Sequence, residues 1–466
     1  PYLNALPNDF SLDDHGLILQ NEAVATFDVI AFLTQHYWAG SGFDATSGLY
    51  RPLTLATFAA EYALFGPQPL PYHATNLLLH LTATLLVWRL CRQITGDRAA
   101  LWSAAVFAVL PGHSEAVIAV SGRADLLATV GSLAALCLWQ QEGRWRRWLA
   151  GGAFFAVGLL AKEQAVVVPG LLLALGWLQQ RRDGRHWQWQ PMSVSVSVLL
   201  AYLLVRQAVL GGVAGIEVEP LDNALIELHG SDRLLAALAV AVRYAGLLVI
   251  PLRLSADYSY AAIDVQHLPV IEIVGGLLLA GLSIAAIIGF VRRPNTPLLG
   301  MVWLTICFAP VTNVLFPIGT ILAERITYAP SVGFSLCLGW ALTQIRLPTR
   351  LPTRVRQRLG LALLLPMALR TTVRCSDWRD ELHLFQAVVD VCPESARGHK
   401  GLAQALRQDG QLAAAETHYR RAIEIYPRFD TAHYNLGILL LDTTRFEEAL
   451  FHFARACALR PTFAEA

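Results

Sequence analysis

The chain has 466 residues, of which 55% are hydrophobic and only 15% are charged. Soluble domains are typically about 45–50% apolar and roughly 25% charged, so the composition and a mean hydropathy of +0.45 indicate a polytopic membrane protein. The formal net charge of +1 gives no indication of nucleic-acid binding. The seven cysteines show neither CxxC nor Cys/His spacing, so we predict neither a zinc site nor a disulfide framework.

In chain order, the sequence opens at Pro1 in what looks like the end of a hydrophobic segment, so we expect that a first transmembrane helix precedes it. Segment 51–66 is predicted to be a surface helix. Segment 233–250 carries Arg243 midway and must begin and end on one side of the membrane, which predicts a re-entrant or interfacial helix or a hairpin. The apolar stretches that could enter or cross a bilayer are 72–94, 99–120, 124–141, 148–161, 164–180, 192–210, 233–250, 269–291, 296–316, 329–346 and 357–373.

The loops between these stretches differ in charge, which predicts the orientation of the chain. By the positive-inside rule the arginine-rich loops are cytoplasmic. They are 89–98, 143–148, 179–186, 291–296 and 346–358. The segments that then face outward are 111–125, 161–164, 211–232, 255–269 and 316–328, together with the stretch that holds Asp13 and Asp14.

After the last apolar stretch the sequence becomes repetitive. Placing Pro427 and Pro461 at one repeat position gives a period of 34, which is typical of tetratricopeptide repeats. The register aligns His399 with His433, Leu402 with Leu436, Ala415 with Ala449, Tyr419 with Phe453 and Ala422 with Ala456. We predict full repeats at 396–429 and 430–463 and a partial repeat at 377–393. An array this short is only marginally stable by itself, because each repeat buries its apolar face on a neighbour. We therefore expect it to continue beyond residue 466 or to be capped by the membrane domain.

Ionisable residues concentrate beside apolar helix ends on the predicted outer side. They are Asp13, Asp14, Arg51, His73, His113, Glu115, Arg123, Asp125, Lys162, Glu163, Glu324 and Arg325. For any one of them, an ion pair that holds a loop to the bundle is an equally open interpretation. Together, however, such cations could bind the phosphate of a lipid headgroup, while a carboxylate opposite them removes a proton from an attacking acceptor. This pattern indicates glycosyl transfer from a lipid donor, although an Asp-Asp pair alone is a weak motif.

Several stretches together carry a resemblance to a known family. They are 8–21 (NDFSLDDHGLILQN), 50–66, 72–81, 111–128 (PGHSEAVIAVSGRADLLA), 161–168 (AKEQAVVV), 254–260, 323–334 (AERITYAPSVGF) and 374–395, followed by the repeats. In this order the sequence resembles the transmembrane and tetratricopeptide repeat-containing protein O-mannosyltransferases, a family of GT-C glycosyltransferases. The Arg-rich, Lys-poor loops suggest a bacterial relative.

The resemblance implies an all-α protein: a polytopic membrane helix bundle of GT-C type over 1–374, with its catalytic outward loop at 4–50, and a tetratricopeptide α-solenoid over 375–466. It implies a polyprenyl or dolichyl phosphate sugar as donor, typically mannose, and inverting transfer to Ser/Thr hydroxyls of a protein. Asp13 is expected to be the catalytic base, supported by Asp14.

Further residues are expected to serve the donor. The candidates for binding its phosphate or sugar are Arg51, His113, Arg123, Lys162 and Arg325. Their expected supporting partners are Glu115, Asp125, Glu163 and Glu324. Since no metal-ligand spacing is present, we predict no metal and no cofactor other than the lipid-linked sugar phosphate as a substrate.

The expected partners are the lipid bilayer, the lipid donor and a polypeptide acceptor bound by the repeats, with the active site and the repeats on the extracytoplasmic side. Two alternatives stay open: transfer to a glycolipid or surface glycan, and a non-catalytic membrane scaffold that recruits a partner through its repeats. A secondary transporter fits least, because its charges should lie near mid-membrane.

Overall fold

The protein is described by a computed structural model that covers residues 1–42, 48–141, 145–212, 218–344 and 353–461, with only the backbone given for 353–361 and 363. Parts of loop 4–50, of segments 143–148, 211–232 and 346–358, and the end of repeat 430–463 lie outside these residues. The described ranges contain helices and no strand, which confirms the all-α class. The helices are α1 (Glu22–Ala25), α2 (Val29–Thr34), α3 (Pro52–Phe65), α4 (Pro69–Thr95), α5 (Asp97–Val109), α6 (Ser114–Ile118), α7 (Arg123–Trp139), α8 (Trp145–Ala161), α9 (Val168–Asp183), α10 (Trp189–Leu210), α11 (Gly230–Val249), α12 (Val270–Arg292), α13 (Thr296–Phe308), α14 (Ser331–Gln344), α15 (Thr353–Asp377), α16 (Glu381–Val391), α17 (Ala396–Gln408), α18 (Leu412–Ile425), α19 (Asp430–Asp442) and α20 (Phe446–Leu459).

Four of these helices are long and apolar enough to cross a membrane: α4, α7 with its preceding turn, α10 and α12. Helix α5 and the segment Pro111–Ile118 meet the same test as a pair that is bent by 56°. Helices α10 and α12 expose leucines such as Leu204 and Leu278, as expected for surfaces solvated by lipid tails rather than by water. The protein is therefore an integral membrane protein.

Helices α3 and α11 were predicted not to cross the membrane, and neither is among the candidate spans. Helix α3 lies between the amino-terminal segment and the bundle, where the Thr54 hydroxyl donates to the carbonyl of Ala161 at 3.0 Å. Helix α11 is amphipathic and packs against α12, and Arg243 donates to Glu272 of that helix at 3.1 Å. An ion pair to α12 accommodates the midway arginine.

The amino-terminal segment is bonded to the junction between the bundle and the repeats. The side-chain amide of Asn4 donates to the carbonyl of Thr372 at 2.9 Å, and that of Asn8 donates to the carbonyl of Cys375 at 3.1 Å. The backbone N–H of Asp9 donates to the carbonyl of Arg379 at 3.0 Å. These bonds place the Asp13–Asp14 loop at the end of the bundle where the repeats begin.

The repeats form the helix pairs α17/α18 and α19/α20, with α16 preceding them. The residues that the 34-residue register aligns are largely internal: Leu402, Leu436, Ala415 and Ala449 are all buried. At Gly437 a Cβ atom would lie 2.8 Å from the ring of Phe453, so a small residue is required where the two helices of this repeat approach.

Loops of the membrane domain cover the amino end of the array. The Ser395 hydroxyl donates to Asp257 at 2.6 Å, and Arg397 pairs with Asp222. The ring centroids of Tyr260 and Tyr426 are 4.7 Å apart. The first repeat is therefore packed against the membrane domain, as expected if that domain caps the array.

Each full repeat contains a histidine pair that joins its two helices. The Nδ1 atoms of His399 and His418 are 2.9 Å apart, and those of His433 and His452 are also 2.9 Å apart. The Nε2 atom of His399 lies 2.9 Å from the carbonyl of Pro393, to which it can donate, leaving its Nδ1 to accept from His418. This hydrogen bond forms when both rings are neutral, because a protonated ring has no nitrogen left to accept.

We predict that acidification destabilises the repeats. Burial lowers the pKa of all four rings. The pKa of His452 falls to about 4, because His433 and Arg420 lower it further and the opposing effect of Glu448 is smaller. Unfolded histidine has a pKa of about 6.5. Between these values the unfolded chain binds more protons, so stability falls as the pH falls. Limited proteolysis of the full-length protein at about pH 7.5 and about pH 5 should show faster cleavage of the repeats at the lower pH.

The other charged groups that face these rings are Arg421 and Glu394 at His399, and Arg455 and Asp430 at His433. Replacing His418 and His452 together by Gln should reduce the pH dependence, whereas His267→Gln, at an exposed loop histidine, should leave it unchanged. An unaltered pH dependence in the double variant would contradict the prediction.

Candidate active site

Asp14 is a fully buried carboxylate that fixes the loop to the bundle. It accepts hydrogen bonds from the backbone N–H of Ser11 at 3.2 Å, of Val120 at 3.2 Å and of Ser121 at 2.7 Å. Burial raises its pKa to about 6, although these three N–H groups oppose the rise. Because backbone N–H groups engage its oxygens, Asp14 holds the loop in position beside Asp13.

Asp13 has different surroundings. It is half-buried, and no hydrogen bond or ion pair engages its carboxylate within the described part of the chain. Its negative charge nevertheless acts on its neighbours. Glu115 raises the pKa of Arg325 most, against the effect of burial, and Asp13 adds to this rise. Burial raises the pKa of Tyr37, and Asp13 adds to that rise as well. Asp13 therefore lies within electrostatic range of both residues with its oxygens unengaged.

The residues that flank Asp13 hold it against the repeats. Leu12 adopts a φ of +53°, a left-handed conformation that leucine rarely adopts, and its side chain packs against both the bundle core and the core of the repeats. His15 Nε2 lies 3.5 Å from the carboxylate of Glu381 on α16. Asp13 is thus located between the two domains.

Three of the predicted donor-binding cations are paired with three of the predicted supporting acids. Lys162 Nζ donates to both oxygens of Asp125 at 2.7 Å. Arg51 contacts Glu163 through Nε at 3.1 Å and Nη2 at 2.6 Å. Arg325 pairs with Glu115, which also accepts from the Arg325 backbone N–H at 2.9 Å. Each pair joins segments that are distant in sequence.

These three pairs form one electrostatic group. Burial lowers the pKa of Lys162, whereas its partner Asp125 raises it. The positive charges of Arg51 and Arg325 lower the pKa of Lys162 further. The pKa of Glu163 falls to about 2 in spite of its burial, because Arg51 stabilises its carboxylate. Cations from three separate segments therefore lie within range of one another, and one of them interacts with Asp13.

Donor atoms are left over in this group. A guanidinium has several N–H donors and an ammonium has three. Over the residues that the structure describes, no acceptor engages Nη1 of Arg51 or Nη2 of Arg325, and 37% of the Arg325 side chain is exposed. A phosphate could therefore bind without breaking the existing pairs.

The structure places His113 and Arg123 in packing positions. His113 lies in an aromatic cluster with Phe107 and Tyr328, with Nε2 2.7 Å from the hydroxyl of Ser331. Arg123 is fully buried and donates to Glu61 at 2.6 Å and to the side-chain carbonyl of Asn76 at 2.9 Å. Neither is among the cations that interact with Lys162.

Glu324 is turned away from the Lys162 group, toward the start of the repeats. Its Oε1 accepts from the hydroxyl of Tyr258 at 3.2 Å and lies 3.5 Å from Arg374 of α15. Burial raises its pKa to about 8, although Arg374 opposes the rise. Adjacent residues thus point in different directions, Glu324 toward α15 and Arg325 toward Asp13.

Sequence reasoning did not single out Tyr37, Glu61 or Asn76. The Arg51 guanidinium lies 5.1 Å from the Tyr37 ring centroid, while Glu61 and Asn76 satisfy Arg123. A polar residue inside an apolar helix, as Asn76 is in α4, signals a buried partner. No group of three or more His, Cys, Asp and Glu in the described ranges is arranged to hold a metal, and the prediction that none is required stays a prediction.

Comparison with known proteins supports the resemblance. The family model described as dolichyl-phosphate-mannose-protein mannosyltransferase matches residues 51–210, and two tetratricopeptide models match residues 403–443 and 431–463. A protein O-mannosyl-transferase of Caenorhabditis elegans is 30% identical over 92% of this chain and 62% of its own length. One from Drosophila melanogaster is 27% identical over 99% of this chain and 58% of its own length.

Two solved structures are also similar. ArnT from Cupriavidus metallidurans, bound to undecaprenyl phosphate, is 16% identical with a TM-score of 0.45 and covers 98% of this chain and 74% of its own. The archaeal oligosaccharyltransferase AglB from Archaeoglobus fulgidus, in complex with an inhibitory peptide and a dolichol-phosphate, is 14% identical with a TM-score of 0.42, over 83% of this chain and 55% of its own.

The fold and the matched models thus define a class: a polytopic helical membrane protein with a mannosyltransferase-type membrane domain, followed by tetratricopeptide repeats. Within this class the chain is similar to proteins named protein O-mannosyl-transferases in Caenorhabditis elegans and Mus musculus, which confirms the resemblance found in the motifs. The chain spans roughly three fifths of the length of the first curated relatives it matches.

We predict that Asp125→Asn destabilises the protein strongly. The Asp125 and Lys162 side chains are only 2% and 9% exposed, and removing one partner of a buried pair costs about 3–5 kcal/mol. Thermal unfolding followed by tryptophan fluorescence should show a lower midpoint.

The matched control is Asp97→Asn, which removes the partner of Arg92 at a site where the Asp97 side chain is 75% exposed, and it should change the midpoint little. Adding Lys162→Met to Asp125→Asn should restore part of the loss, because no unpaired charge is left buried. A midpoint equal to that of the wild type in Asp125→Asn alone would show that the pair does not hold α7 to the 161–164 segment.

Proposed function

We propose that this protein transfers a sugar, mannose in the first instance, from a polyprenyl or dolichyl phosphate to Ser/Thr hydroxyls of a polypeptide on the extracytoplasmic side. The observation that carries the proposal is the contrast at residues 13 and 14. Asp14 is engaged by three backbone N–H groups, whereas the half-buried Asp13 carboxylate has no partner in the described residues and lies within range of Arg325.

The donor is suggested by the matched family model, whose description names dolichyl-phosphate-mannose. Its phosphate would bind those N–H groups of Arg325 and Arg51 that no acceptor in the described chain engages, with Lys162 contributing positive charge. Arginine suits this task because its planar donors match phosphate oxygens. Glu115, Glu163 and Asp125 would hold the three cations in place, as their hydrogen bonds to them indicate.

In the proposed step the acceptor hydroxyl oxygen attacks the anomeric carbon as the bond between that carbon and the phosphate oxygen breaks. The Asp13 carboxylate takes the hydroxyl proton, and the leaving phosphate keeps the bonding electron pair. The cations stabilise the charge that develops on the phosphate, which is where preorganised charge contributes most. A single base is sufficient for such an inverting displacement, and Asp14 holds the loop that carries it.

The repeats would bind the acceptor. Repeats of this kind offer an extended concave surface for peptides, and here the loop with Asp13 contacts them through Leu12 and His15. A peptide bound there would lie next to the base. Location of the repeats and Asp13 at the same end of the bundle is the observation that favours a polypeptide over a glycolipid as acceptor.

We predict that Asp13→Asn abolishes sugar transfer without destabilising the protein. A general base contributes about 10²–10⁴ in rate, and no bond of the described structure is lost with the Asp13 carboxylate. Transfer from a synthetic polyprenyl or dolichyl phosphate mannose to Ser/Thr peptides should be measured in proteoliposomes.

Asp14→Asn should instead lower both activity and thermal stability, because it weakens a carboxylate that accepts from three N–H groups. Asp9→Asn, at an exposed acid a few residues earlier, is the matched control and should keep wild-type transfer. Full transfer by Asp13→Asn would remove it as the base, and a scaffold function would predict no transfer by any variant.

Sidedness can be measured at a native cysteine. Cys457 on α20 is exposed, whereas the other six cysteines are buried or partly buried. A membrane-impermeant maleimide should therefore label Cys457 in sealed, right-side-out vesicles, and Cys457→Ser should abolish the signal. Labelling that appears only after detergent permeabilisation would place the repeats in the cytoplasm and exclude an extracytoplasmic acceptor.

A further inference from the structure

Among the described residues, the half-buried cations of the repeats have acidic partners, with one exception. The paired cations are Arg407, Arg420, Arg421, Arg445 and Arg460. Lys400 on α17 is half-buried as well, but no acid or other acceptor contacts its ammonium among the described residues. The sequence has only one other lysine, Lys162, which is paired.

Lys400 lies on the face of α17 that is turned toward the membrane domain. Arg397 precedes it by three residues, so the two side chains share one side of the helix, and Arg397 pairs with Asp222 from a membrane-domain loop. The carboxylates of Glu381 and Asp430 influence Lys400 electrostatically without forming an ion pair with it.

This face also reaches the proposed active site. Glu381, one of the acids near Lys400, lies 3.5 Å from His15, which is two residues from Asp13. Burial raises the pKa of Asp222 against the effect of its partner Arg397, and nearby carboxylates, Asp13 among them, add to the rise. The side of the first repeat that carries Lys400 therefore faces the loop with Asp13, across a boundary that we call the cleft.

The Lys400 side chain is half-buried and its ammonium has no counterion contact among the described residues, so the ammonium is available to an anion supplied from outside the chain. Burial lowers the pKa of Lys400. Because the neighbouring carboxylates do not contact it, the ammonium is free to bind a carboxylate that enters the cleft. A helical-repeat surface favours an extended peptide as the source.

We propose that Lys400 binds a carboxylate of the acceptor, so that the polypeptide recognised in this cleft is one with Asp or Glu close to its acceptor Ser/Thr. The inference rests on the proposed function, since it identifies the class of acceptor for the same active site. Lys400 is a substrate-binding residue in this proposal and takes no part in the transfer step.

The experiment compares two fluorescent peptides that differ only in Asp or Asn beside the Ser/Thr residue. Binding to the full chain in nanodiscs is followed by anisotropy. The wild type should bind the Asp peptide about tenfold more tightly, as expected for one charge-assisted hydrogen bond. Lys400→Met should bind both peptides equally, and Lys400→Arg should retain part of the preference.

Arg428→Met is the matched control, because Arg428 is an exposed cation of the same repeats, and it should keep the wild-type preference. In a transfer assay, Lys400→Met should raise KM for the Asp peptide and leave kcat and the KM of the lipid donor unchanged. A wild type that binds the two peptides equally, or that binds neither, would overturn the proposal.

The two proposals can fail separately. If the wild type prefers the Asp peptide through Lys400 but transfers no sugar, the carboxylate site stands and the transferase function does not. If the wild type transfers sugar but Lys400→Met keeps the preference for the Asp peptide, the transferase stands and Lys400 is not the recognition residue.

Discussion

The pairing of buried cations with acids from distant segments is the interaction on which the rest of this structure depends. In a bundle with little water, an unpaired charge is far more costly than at a protein surface. Lys162 with Asp125, Arg51 with Glu163 and Arg325 with Glu115 meet this constraint and connect the loops to the helices. The pairs therefore also determine where the remaining N–H donors point, so the same contacts that stabilise the loops leave a preorganised cationic surface.

The same constraint separates structural from reactive groups. A carboxylate that already accepts several hydrogen bonds, such as Asp14, is poorly available to take a proton from a substrate. Asp13 is the neighbouring carboxylate without such bonds in the described chain, and its separation from Arg325 is short enough for the two charges to interact. The ion-pair interpretation therefore holds for the residues whose pairs the structure shows, whereas the active-site role of Asp13 stays a proposal.

The sequence was most informative where a pattern repeats or a charge interrupts an apolar run. The 34-residue period placed the small and apolar residues of the repeats correctly, because helix pairs of one length impose one packing geometry. Charges at the ends of apolar stretches identified most of the paired residues near Asp13. The sequence did not reveal which acid pairs with which cation. Arg123 donates to Glu61 and Asn76 on other helices, and the His113 ring packs in an aromatic cluster. Such choices depend on helix packing over long sequence distances, for which one sequence carries no local signal.

Glu324 and Arg325 show how the two domains are connected through adjacent residues. The Glu324 carboxylate lies near Arg374, which also donates to Asp377 at 3.0 Å at the end of the helix that leads into the repeats. The Arg325 guanidinium and backbone N–H are both engaged by Glu115 on the bundle side. Because one short helical turn carries both side chains, a displacement of α15 that moved Glu324 would act directly on the backbone that carries Arg325. Covalent adjacency is therefore the shortest connection between the start of the repeats and the proposed phosphate site.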